Sequence, residues 1–231
     1  MTNCKLYTAT GILKNKHGKD GVTYPYIQLG QQEHILDVQE MLLWTNLNWR
    51  ILNEKDIKVL YENKAKEFKL DFNRSMESCL HYLMQRGLIA EGCGETGADA
   101  LYDLMSTLCI VPISENIFLR VFSFFKLTFI KKLPFSVTRN ILSRDKKSRG
   151  EKKVMRIAKQ AKLFTAEIIK CIEENKLFFA TDEDILDTIY DDDDITSENI
   201  SYTVKFSPMC LPVLTDIANL YLRKKILFER I

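Results

Sequence analysis

Apolar and polar positions alternate most regularly between Ile35 and Glu91, where three short helices and a strand are predicted. Met41, Leu42, Trp44 (or Thr45) and Leu47 make an apolar stripe at helical spacing over roughly Val38 to Asn48,. Asn53, with Asp56 three positions on, reads as the cap of a second helix whose Ile57, Leu60, Tyr61 and Ala65 share one face,. Asn73 is expected to cap a third, with Met76, Cys79, Leu80, Leu83 and Met84 on one side and Gly87 as its stop,. Leu88-Ile89-Ala90 then reads as a short strand.

Either side the pattern is looser. Lys5–Leu13 and Val22–Leu29 predict two strands around a lysine-rich turn, with Pro25 confining the second to an edge or bulge,. Ala98–Leu108 predicts a helix ended by Pro112. Asn116–Ile130 is the most apolar stretch, but Glu115, Arg120 and Lys126 exclude a membrane span,. A connecting or dimerisation helix is expected there, the weaker alternative being membrane contact through 117–135,. Val154, Ile157, Ala161, Phe164, Ile168 and Cys171 (or Ile172) predict one amphipathic helix over Glu151–Asn175,. Thr181 with Asp184 starts a helix to Tyr190, Ser201–Phe206 has strand composition, and Leu211–Arg230 reads as a closing helix,. In that closing helix Leu214, Ile217 (or Ala218), Tyr221 and Ile226 are expected to face inward.

Helix, Asn-capped helix, Asn-capped helix and then Arg86-Gly87-Leu88-Ile89 resembles the winged-helix superfamily, over about 90 of 231 residues. A narrower likeness exists to the leader-peptide recognition modules of peptide-modifying pathways, a β-hairpin followed by three helices. The order hairpin, Leu36-Asp37, Leu43-Trp44, Ile51-Leu52, Asp56-Ile57 and Gly87-Leu88-Ile89 carries it. The implied fold class is mainly α (α+β), an N-terminal β-hairpin plus winged-helix domain followed by a helical C-terminal domain. Residues 1–97 would form the first domain, 98–135 apolar connecting or dimerisation helices, and 136–231 the helical domain.

Composition is that of an ordinary globular protein, 46% hydrophobic and 28% charged,. The net charge of +2 hides a polarised chain, about +11 over residues 126–170 and about −10 over 173–198,. Asp191–Asp194 reads as a solvated acidic loop, because calcium loops alternate their ligands and turn on a glycine,. Six scattered cysteines and an N-terminus without an apolar core point to a reducing, cytoplasmic location,.

Motifs of zinc hydrolysis and acyl transfer are missing, and Cys79 and His81, two apart on a helix, cannot share a metal,. Gly92–Gly97 fits G-x-G-x-x-G, but without a parallel strand–helix–strand unit it reads as a tight turn, or the start of the wing, with Thr96 capping a helix,. No catalytic residue, cofactor or metal is expected. The class first expected is a DNA-binding protein acting as a transcriptional regulator, since winged helices most often meet DNA. Helix 73–86 would present Arg74, Ser75, Ser78 and Gln85 to base edges,. The basic segment 126–162, including Lys152, Lys153, Arg156 and Lys159, would hold phosphates,. Two chains could pair through residues 98–130, and the acidic segment 182–198 could cover the basic one. The alternative is a non-enzymatic adaptor that takes a peptide or protein partner, the hairpin edge and helix three accepting an added strand.

Overall fold

Short polar side chains set the starts of the first three helices. In the computed structural model, which describes residues 3–17, 23–113, 146–190 and 194–230, α1 is Val38–Leu47, α2 Glu54–Glu67 and α3 Met76–Gln85. Asp37 caps α1 in a full capping box with Glu40, and Asn53 caps α2 by accepting from the Asp56 N–H. Each cap satisfies N–H groups that a helix start leaves without partners. The third helix begins later than predicted: Ser75, not Asn73, accepts from the Ser78 N–H. That start places Met76, Cys79, Leu80 and Leu83 on one buried face,. Gly87 ends the unit at φ +70°, where a side chain would be strained,.

The single strand predicted over Lys5–Leu13 is two strands. Gly11, at φ +83°, separates β1 (Cys4–Ala9) from β2 (Ile12–His17). β2 pairs antiparallel with β3 (Thr23–Leu29), which turns at Gly30-Gln31 into β4 (Gln32–His34). Pro25 does sit at an open edge, because β4 covers β3 only from Ile27 to Leu29,. β1 pairs instead with β5 (Ile89–Gly94), the strand that leaves α3, and Tyr7 also bridges to Leu52 between α1 and α2. The strand after α3 is thus answered from the N-terminus, and the element that follows it is a helix.

That helix, α4 (Gly97–Ser106), is capped by Thr96 as predicted and lies across β5. Gly92 and Gly94 are strand residues, not a tight turn, and they let the helix backbone come close. A Cβ on Gly92 would lie 2.3 Å from Leu104 N and 2.4 Å from the Ala100 carbonyl oxygen. The helix stops well before Pro112, which is instead the last residue of β6 (Cys109–Pro112).

The long helix predicted from Glu151 to Asn175 is broken into α5 (Arg149–Ala158) and α6 (Thr165–Glu173). Backbone pairing causes the break: the Ile110 N–H donates to Leu163 and the Thr165 N–H to Leu108, while Phe164 bridges to Cys109. Ser148 and Glu151 form the capping box of α5, and Thr181 starts α7 (Asp182–Ile189) as expected. Ser201–Phe206 is not a strand. α8 (Ile200–Val204) buries Ile200 and Val204 and leaves Tyr202 70% exposed. A strand would turn all three to one side, so burial at a spacing of four overrides β-propensity. The closing helix, α9 (Cys210–Leu222), buries Leu214, Ile217 and Tyr221 but ends earlier than predicted. Lys224, at φ +58°, turns the chain, and Ile226 becomes the first residue of β7 (Ile226–Glu229), antiparallel to β6.

Among the described residues two buried clusters result. One packs α1–α3 with β1, β3 and β5 around Leu43, Trp44 and Leu83; the other packs α4–α9 with β6 and β7 around Leu104, Ile217 and Phe228. α4 therefore belongs to the second core, while Asn116–Ile130 and the basic stretch 126–145 lie outside the described residues. Tyr221 joins the two: its hydroxyl accepts from Thr8 Oγ1 at 2.8 Å and from the Trp49 N–H at 2.9 Å.

Candidate functional site

The four side chains expected to read bases are largely engaged within the fold. Arg74, just ahead of α3, pairs with Asp37 and, at 3.3 Å, with Glu40. Arg86 reaches the same Glu40 at 3.2 Å, and that carboxylate is only 6% exposed. These bonds clamp α3 to the start of α1. Ser75 and Ser78 lie 3.0 Å apart within the helix cap, and Gln85 Nε2 lies 3.1 Å from His81 Nε2. Beside them Glu77 is exposed, its carboxyl held below the usual range by its own backbone N–H and then by Ser75 and Lys58. An anion on that face opposes a phosphate backbone.

The other four candidates are on α5. Lys152, Arg156 and Lys159 are exposed, Lys153 is half-buried, and Arg156 lies 4.8 Å from the Phe178 ring centroid. α5 packs on α9, α6 and β6, whereas α3 packs on α1 and β5. The two sets of candidates therefore stand on different cores. In the acidic segment, Asp184 pairs with Lys176, which holds its carboxyl below the usual range. Asp191–Asp193 lie outside the described residues.

The feature that sequence reasoning missed is an apolar groove of about 610 Å³ between α1, the end of α2 and β3. Val38, Met41, Leu42 and Thr45 form one wall, at positions i, i+3, i+4 and i+7 of α1,. Lys64, Phe68 and Leu70 form the facing wall, and Pro25 and Leu36 close it. Val38 is 63% and Phe68 56% exposed, so this is bare apolar surface,. Met41 and Leu42, on the predicted apolar stripe, pack against the edge of the core and also line the groove, because Leu43, Trp44 and Leu47 take the core face of α1. The signal was available: Met41-Leu42-Leu43-Trp44 is apolar around more of the helix than one core can cover,. Asn46 also lines the groove; it is 3% exposed, and its Nδ2 is buried without a hydrogen-bond partner.

Burial pushes the Cys79 thiol up to about 11 and those of Cys109 and Cys171 up to about 12, so all three are un-ionised at neutral pH,. A polar recess of about 480 Å³ beside α4 and α8 is crossed by its own bonds. There the Cys93 N–H donates to Asp103 at 2.8 Å, and Lys205 lies 3.6 Å from Asp99. Among the described residues no group of three or more His, Cys, Asp or Glu is placed to hold a metal ion, and no helix is long and apolar enough to cross a membrane.

No family model matches the chain, and neither a curated protein nor a solved structure does.

Proposed function

We propose that the chain is a non-enzymatic binding module that takes an apolar segment of a peptide or protein partner into the groove between α1, α2 and β3. The observation that carries this is bare apolar surface at helical spacing on α1, facing a second apolar wall. Such grooves gain affinity from burying anchor side chains. This is the adaptor that the narrower resemblance implies, with its surface on α1 and α2 rather than on the hairpin edge and α3. A displayed peptide library panned on the chain is expected to yield apolar sequences that bind at least tenfold more weakly to Leu42→Asp, with the circular dichroism spectrum unchanged. Selected sequences that bind the variant equally well would remove the groove from consideration.

A second reading, a DNA-binding regulator, is favoured by the exposed cations of α5. Duplex DNA binding would then weaken steeply with salt. Replacing Lys152, Lys153, Arg156 and Lys159 by Ala would flatten the log–log slope by about 0.9 for each phosphate that is no longer neutralised. Absence of binding at low ionic strength sinks this reading.

A further inference from the structure

The groove is not only apolar. An amide N–H in the interior that finds no acceptor destabilises the free protein, and an acceptor that arrives with a ligand relieves it. Asn46 Nδ2 is such a donor, on a residue of the groove wall. The terminal torsion of asparagine is broad, so the amide can turn toward an incoming group. Lys64 supplies a second donor on the facing wall; its ion pair with Glu67, at 3.6 Å, has both ends in solvent. The carboxylate that lines the groove, Asp37, is already matched by the Glu40 N–H and Arg74. The groove thus offers donors in excess of acceptors, and the missing partner is an oxygen.

We infer that the groove selects an apolar, helical peptide segment that carries a carboxylate side chain for Lys64 and an acceptor oxygen for the Asn46 amide. The inference rests on the groove reading above and specifies its ligand. A helix fits better than an added strand. Beyond the stretch of β3 that β4 covers, the groove-lining residue is Pro25, which has no N–H to offer a new strand,. The wall of α1 is itself a ridge at i, i+3, i+4 and i+7, the relief into which a second helix packs,.

Two fluorescein-labelled amphipathic peptides test this, each with Leu at i, i+3, i+4 and i+7, one with Glu and one with Gln at a flanking position. Fluorescence anisotropy would be read with the wild-type chain and with Leu42→Asp, Lys64→Ala and Asn46→Leu. The Glu peptide should bind the wild type at least fivefold more tightly than the Gln peptide, and Lys64→Ala should erase that difference. Asn46→Leu should weaken both peptides at least fivefold while melting no lower than the wild type, since it removes the unmatched donor. If neither peptide binds the wild type, or Leu42→Asp binds equally well, the groove reading fails and this inference with it. If both bind and Leu42→Asp does not, but Glu and Gln are equivalent and Asn46→Leu keeps its affinity, the groove stands and its proposed ligand chemistry is overturned. A lower melting temperature for Asn46→Leu with unchanged affinity would make Asn46 a structural residue, and also overturns it.

Discussion

Gly92→Ala is expected to destabilise the fold by about 3 kcal/mol or more, and Gly97→Ala, five residues later, to leave it unchanged or slightly stabilised. The added methyl at Gly92 would fall 2.3 Å from a backbone nitrogen and 2.4 Å from a backbone oxygen of α4. Neither can move as the tip of a flexible side chain would, so α4 must lift from β5. Lifting it exposes Leu104 and Met105, both fully buried. Gly97 opens α4, and a Cβ there meets nothing within 4 Å. Urea denaturation followed by circular dichroism measures both variants. Equal effects at the two positions would show that strand–helix approach is not what these glycines provide.

Raising the pH from 10 to 12 is expected to remove about 3 kcal/mol of stability through Tyr221 alone. Burial pushes this phenol up from 10.0 to about 12, although hydrogen bonds from Thr8 and the Trp49 backbone partly oppose the shift. The sign follows from which state ionises first. Below pH 10 the phenol is neutral in both states and the full contribution is present. Above it the unfolded chain loses the proton while the folded chain keeps it, so stability falls until the folded phenol ionises near 12,. Tyr61, raised by burial to about 12, acts in the same direction, as do Tyr7, Tyr102 and Tyr190. Thermal melts across this window, with phenolate absorbance read in parallel, should show the melting temperature falling as the pH rises, while the buried phenols ionise later than the exposed ones,. In Tyr221→Phe the pH dependence should shrink. At neutral pH that variant should be weaker by about 1–3 kcal/mol, because the Trp49 N–H loses its acceptor,. Tyrosine ionisation that completes near pH 10 without unfolding would contradict this account.

Local chemistry was readable from the chain and distant pairing was not. Asn53, Thr96, Thr181 and Gly87 act within four residues of themselves, and each caps or stops a helix where expected. Asn73 and Ser75 are both competent caps, and only the buried face of α3 chooses between them. The break after Ala158 and the switch of Ile226 from helix to strand depend on β6, far away in sequence. Periodicity there continues as if helical, since a partner strand leaves no mark on the segment it captures. Of the site, the exposed α5 cations were legible as a charge run. The commitment of Arg74 to Glu40 was not, because an ion pair between residues 34 apart has no sequence signature. The groove was half legible, in the surplus of apolar residues on α1.

β7 also sets a schedule for synthesis. It is the last strand of the described chain, yet it completes the β6 ladder, and the Phe228 carbonyl oxygen accepts from the Gly11 N–H. A growing chain on the ribosome can gather α1–α3 early, but β6 keeps an open edge until residues 226–229 have emerged. The second core then closes in a step that ties Gly11, between β1 and β2, to β7, and up to that moment the bare edge of β6 is a place where another strand can pair,.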